Sequence, residues 1–311
     1  MSMDQRPKKK VEEVVALVSA RAKRGELPLA ERRIVMDKNT DVFPVPAGLR
    51  MEPAELGGLK AEWMIPDDLA PASSPVLLYF HGGGYVIGSP LSHRHITGRL
   101  ALASKACVLS VDYALAPEQP FPAAVTDGVK AYRWLLDHGH APAAIALGGD
   151  SAGGGLVAAT LVAARDQGLP MPASAVLISP WSDLTCNTET YVSRAAVDPM
   201  ITPDGIRMMA SAYLAGADPR DPLASPNFAD LKGLPPLLIH VGDNEVLLDD
   251  ARILARRAAD AGVDVRLEVW DRMFHVWHAF YQMLAEGEQA IDDLGAFLRD
   301  RFVKARDPAK A

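Results

Sequence analysis

The sequence predicts an α/β fold, a mostly parallel sheet of eight strands flanked by helices. Two observations carry this. Six short apolar runs recur along the chain: VLLYF (76–80), CVLSV (107–111), AIALGG (144–149), AVLISP (175–180), PLLIHVG (236–242) and VRLEVW (265–270). Segments of helical texture separate most of them, which is the rhythm of parallel strands buried on both faces. Upstream, MEPAEL and KAEWMIP alternate in the manner of two half-buried strands joined through Gly57-Gly58.

The chain opens with a helix. Val11, Val14, Val15 and Val18 recur at the spacing of one helical face, and the stop is expected near Arg24-Gly25. A second amphipathic segment runs from Ala30 to Met36. The strand–helix rhythm then holds until Ser182. From there to Leu234 it fails: Pro199, Pro203, Pro219, Pro222 and Pro226 interrupt a stretch too long for a simple connection. The expected organisation is therefore N-terminal helices (1–45), a core (46–181), an insertion above the sheet (182–234) and the rest of the core (235–311).

Bulk properties narrow the function. The chain has 311 residues, 49% hydrophobic and 23% charged, an ordinary globular balance. A net charge of -7 gives nucleic-acid binding no electrostatic footing. Lys8-Lys9-Lys10 is followed at once by Glu12 and Glu13 and reads as a solvated helix start, not a lipid anchor. Cys107 and Cys186 show no metal-ligand spacing, so neither a zinc site nor a disulfide framework is expected. The first apolar stretch is broken by charges, unlike a signal peptide, and no run approaches a membrane span of about 20 residues. A soluble cytoplasmic protein without membrane contact is the expectation.

Chemistry enters at residues 78–89, LYFHGGGYVIGS. Consecutive glycines are entropically costly, so this loop needs bare backbone. A dinucleotide pyrophosphate or an acyl-transfer oxyanion would use it. Gly82, Gly84 and Gly88 do fit a dinucleotide turn, with Asp112 ending the next strand. However, none of the seven tyrosines has lysine four residues on, and the loop comes late in the chain for such a unit. The second glycine cluster, IALGGDSAGGG (145–155), decides the matter. Gly149-Asp150-Ser151-Ala152-Gly153 is G-x-S-x-G between an apolar strand and an Ala/Leu-rich helix, the nucleophile elbow of α/β-hydrolases. Asp243, Glu245, Asp249 and Asp250 follow the next-but-one strand, and His275 follows the last, giving the order Ser…acid…His.

HGGGYVIGS, DYALAPEQPFPAA, GDSAGGG, SPWSDLT and MFHVW together resemble the bacterial hormone-sensitive-lipase family, also called family IV carboxylesterases. The resemblance runs from about Met51 to the C-terminal helix. It implies the α/β-hydrolase fold with a helical cap. It also implies that Gly83, Gly84 and Ala152 supply the N–H groups of an oxyanion hole. One departure stands out: the family's D-P-L-x-D segment reads Glu245-Val246-Leu247-Leu248-Asp249 here.

On this reading Ser151 attacks an ester carbonyl and His275 carries its proton to the leaving alcohol. His278 is placed in the following helix. The register points to Glu245 as the acid, with Asp243 and Asp249 as alternatives, Asp249 being the expected cap of a helix at Asp250-Ala251. Tyr85, Asp150 and Trp181 are the candidate pocket residues, although Asp150 should turn back into the elbow and the two aromatics could equally be core. His81, Asp112 and Glu118 read as scaffold. The expected activity is a serine carboxylesterase for small, fairly apolar esters. A lactone hydrolase or small-molecule deacetylase is the alternative, and a non-catalytic receptor the remote one. No metal or organic cofactor is implied. A homodimer through VRLEVW is expected, because a long apolar sheet edge is usually paired or covered.

Overall fold

In the computed structural model, which describes residues 8–22 and 27–306, every apolar run is a strand. The strands are β1 (Leu49–Glu55), β2 (Lys60–Pro66), β3 (Val76–Phe80), β4 (Cys107–Val111), β5 (Ile145–Asp150), β6 (Ser174–Ile178), β7 (Leu237–Gly242) and β8 (Val265–Trp270). They form one eight-stranded sheet in the order β1-β2-β4-β3-β5-β6-β7-β8. Only β1 and β2 run antiparallel to their neighbours. From β4 to β8 every pairing is parallel.

The period of two along each strand feeds two separate cores. Val76, Leu78 and Phe80 of β3 join the core under α5 (Ala123–Asp137), α6 (Ala152–Asp166) and α9 (Leu248–Asp260). Leu77 and Tyr79 join the opposite core, under α4 (Pro90–Ser104) and α10 (Ala285–Arg306).

The first helix, α1, covers Val11–Ala22; its expected stop at Arg24-Gly25 lies outside the described residues. Val11, Val14 and Val18 bury against Met273, Phe274 and Trp277. Each such burial is worth about 1.5–3 kcal/mol, which fixes a helix too short to persist alone. Lys8 is not merely solvated, since its Nζ donates to the Tyr281 carbonyl at 2.7 Å and pairs with Glu288 at 3.1 Å. The α2 helix (Leu29–Asp37) buries no side chain and is held instead by Arg33. Arg33 donates to the carbonyls of Val86 and Ala116 and makes a two-pronged pair with Glu118 at 2.8 Å on each oxygen. A short helix, α3 (Asn39–Val42), follows.

Between β6 and β7 the chain adds no strand, only α7 (Thr190–Ser193), α8 (Pro203–Leu214) and a 3-10 turn at Pro226–Phe228. Asp250, fully buried at the start of α9, accepts from the N–H groups of Ser182 and Asp183 and so pins the start of this segment. Among the described residues, no helix is long and apolar enough to cross a membrane.

Candidate active site

The sheet order lines up the loops that leave the C-terminal ends of β3, β5, β6, β7 and β8, where open α/β sheets place their ligand sites. Ser151 occupies the turn from β5 into α6 at φ 54°, ψ −122°, a strained conformation for a residue with a side chain. Its N–H donates to Ile178 O at 2.8 Å, and its carbonyl accepts from Trp181 N at 2.9 Å and Gly155 N at 3.1 Å. These bonds hold the turn from both sides. A side chain at Gly153 would collide with the Phe80 carbonyl, which explains the glycines around the serine.

The glycine loop follows β3. Gly83 (φ 122°) and Gly84 (φ 63°) adopt angles that side chains rarely tolerate, and a Cβ on Gly84 would strike the Met209 sulfur from α8. Among the described residues, the N–H groups of Gly83 and Gly84 have no acceptor. Ala152 opens α6, so its N–H is one of the first-turn donors that a helix leaves unused. His81, fully buried and stacked on Tyr113 at 4.3 Å, contacts Gly82 O through Nδ1 at 2.8 Å. Burial, then the neighbouring His93, pushes its pKa down to about 3, so it braces the loop as a neutral ring.

Asp150 does not face the pocket. Its Oδ1 accepts from the Tyr79 hydroxyl at 2.7 Å and from Gly82 N at 3.1 Å, while Oδ2 lies 3.5 Å from His93 Nε2. Burial pushes this carboxyl up, but His93 and Tyr79 outweigh it and hold it below the usual range. Of the two readings open for Tyr85 and Trp181, pocket wall or core, the structure takes the core one. The two residues are 1% and 0% exposed, and Tyr85 lies flat on Tyr213 of α8 with ring centres 3.9 Å apart, so neither offers surface to a ligand.

Glu245 is the acid that meets His275. Its Oε2 lies 2.8 Å from His275 Nδ1, and Oε1 accepts from Ser179 Oγ at 2.7 Å and Gly242 N at 2.6 Å. Burial pulls His275 down, yet the hydrogen bond and charge of Glu245 win, leaving its pKa above 6.5. Asp243 is only half-buried, and its N–H goes to Trp270 O. Asp249 caps nothing: α9 starts at Leu248, after Leu247, and Asp249 sits in its first turn beside Arg252. His278 lies in a short 3-10 helix (Trp277–Phe280) ahead of α10 and is fully buried against His240.

Two polar residues here escaped the sequence reading. Ser179 (φ 46°) gives its hydroxyl proton to Glu245 and accepts from Val276 N at 3.1 Å, tying the acid to the histidine turn. Asp198, ahead of α8, accepts from Val246, Met200 and Ile201 N–H groups, each at 2.9 Å. Burial raises its carboxyl while His275 lowers it, so its charge is felt at the histidine. The only available signal was their position: Ser179 opens SPWSDLT and Asp198 precedes Pro199.

A serine on a strained elbow, a carboxylate-held histidine and unused N–H groups, all at strand ends on one side of the sheet, are the parts that acyl transfer requires. Comparison with known proteins agrees. Residues 77–279 match the family model described as alpha/beta hydrolase fold. An acetyl-hydrolase of Streptomyces hygroscopicus is 50% identical over 271 residues, covering 86% of this chain and 89% of that protein. The crystal structure of EstE5 soaked with p-nitrophenyl butyrate superposes with TM-score 0.90 at 51% identity, covering 94% of this chain and 98% of its own. An esterase of the bacterial hormone-sensitive-lipase family superposes with TM-score 0.91 at 46% identity, covering 95% and 100%. This chain belongs to the α/β-hydrolase fold family, within its bacterial hormone-sensitive-lipase branch, and is a carboxylic ester hydrolase.

Proposed function

We propose a serine carboxylesterase that cleaves short, fairly apolar esters through an acyl-enzyme formed on Ser151. The observation that carries this is the Glu245–His275 pair at 2.8 Å, on strand ends of the same sheet edge as Ser151. Glu245 occupies Nδ1 of His275, which leaves Nε2 to take the serine proton and return it to the departing alcohol. The N–H groups of Gly83, Gly84 and Ala152 receive the oxyanion. Water then attacks the acyl-enzyme by the same route. We assign α1–α3 and residues 182–234 to a cap over the core residues 46–181 and 235–311, with Met209 against Gly84 as its innermost point. That close roof suits acyl chains of about two to eight carbons, and the enzyme acts on soluble esters in the cytoplasm.

Removal of acetyl groups from a small molecule is a second reading, favoured by the 50% identity to a protein named acetyl-hydrolase. A panel of p-nitrophenyl esters of rising chain length, lactones and acetylated sugars separates the two. Labelling with a fluorophosphonate should fall on the Ser151 peptide and vanish in Ser151→Ala, together with turnover. Labelling elsewhere, or turnover retained in that variant, overturns the mechanism.

A further inference from the structure

We propose that His240, Glu268 and Asp293 form a binding site for a divalent transition-metal ion, zinc above others, that staples α10 to the last two strands. The sheet register builds the site. His240 of β7 pairs with Glu268 of β8, so both side chains leave the sheet on one face, the face that α10 covers. Asp293 descends from α10 onto them. His240 Nε2 lies 3.1 Å from Asp293 Oδ2 and 3.4 Å from Glu268 Oε2, and the three donor atoms all fall within 4.8 Å of one another. A tetrahedral zinc with bonds of about 2.0–2.2 Å sets its ligand atoms roughly 3.3–3.6 Å apart, close to the two distances from His240.

The surroundings fit as well. The imidazole is wholly buried while the carboxylates are 30% and 28% exposed, which leaves an entry path and an outer position for water. His240 Nδ1 lies 3.1 Å from His278 Nε2. This contact fixes the plane of the His240 ring; zinc on Nε2 requires the shared proton to sit on His240 Nδ1, with the His278 proton on its own buried Nδ1, which has no partner among the described residues. One imidazole and two carboxylates suit zinc better than magnesium or calcium, which prefer all-oxygen shells. Arg266, two residues before Glu268 on the same strand face, now bridges the carboxylates through Glu268 Oε1 at 2.7 Å and Asp293 Oδ2 at 2.6 Å. It is 47% exposed and long enough to swing outward, so it holds the acids together and competes with the ion for them.

That competition gives the test. Tag-free full-length protein, stripped with chelator, is titrated with zinc chloride by calorimetry, and its unfolding temperature is measured with and without zinc. One saturable ion per chain and a raised unfolding temperature are expected. Glu268→Gln and Asp293→Asn, both at half-exposed positions, should each weaken zinc binding by at least about tenfold. Arg266→Ala should tighten it, whereas a cluster serving only as an ion-pair network would simply lose stability. Absence of saturable binding, unchanged affinity in the two acid variants, or no tightening in Arg266→Ala each overturns the proposal.

Discussion

Glu245 sets the behaviour of His275, and its contribution has a sign that can be measured. In the proposed mechanism His275 works as the neutral ring, and Glu245 outweighs burial to hold its pKa above 6.5. The acid limb of kcat/KM should therefore lie above that pH, with activity lost as pH falls through it. Glu245→Gln removes the raising partner, so the limb should move to lower pH while kcat drops by about a thousandfold or more, because the tautomer is no longer enforced. Asp243→Asn should leave both nearly unchanged; a larger loss there than in Glu245→Gln would show the acid to be misplaced. Ser179 is the second residue to test. Its hydroxyl serves a buried carboxylate and the Val276 N–H together, so Ser179→Ala should cost about 1.5–3 kcal/mol in urea unfolding. A cost near zero would mean that water replaces the hydroxyl.

Among the elements, α8 is the one we expect to govern acyl-chain length, because Met209 lies against the glycine loop. Thr202 caps it by accepting from Gly205 N at 3.2 Å, and Pro203 opens it, so its start is well defined. Tyr213 anchors its far end on Tyr85, and Met209 between them presses on Gly84. Met209→Ala should open space directly above the glycine loop and shift the best p-nitrophenyl ester to a longer acyl chain. The change should appear in KM for long esters more than in kcat for the acetate. An unchanged chain-length profile would place the acyl chain elsewhere. The same helix shows where pattern reading stopped short. The prolines of residues 182–234 announced a break in the strand rhythm, but Asp198 and Asp250, which fasten this segment to the loops after β6 and β7, have partners up to 68 residues away.

At the scale of the molecule, β8 closes the parallel side of the sheet, and its outer edge pairs with no strand among the described residues. Val269 is 40% exposed there. We expect two copies to meet along this edge, with a dimer mass by light scattering at micromolar concentration and a monomer on Val269→Lys, which places a charge in the seam. A monomer mass for the unaltered protein would rule this out.

The sequence by itself determined the strands, their parallel character and the turn that carries Ser151. These are local matters: an apolar run of five or six residues, or a glycine that leaves room for a carbonyl, states its conformation within its own neighbourhood. It also ordered serine, acid and histidine along the chain, since each sits just after a strand. Tertiary structure alone decided which polar atoms meet. It put the Asp150 carboxylate on Tyr79 and Gly82, closed Tyr85 and Trp181 into the core, and bonded Glu245, the acid the register had favoured, to His275. It also set Ser179 between acid and base, and brought His240, Glu268 and Asp293 together from three separate elements. A hydrogen bond or ion pair between residues far apart in sequence leaves no periodicity behind it. Only the register of the sheet and the packing of helices upon it bring such atoms within reach.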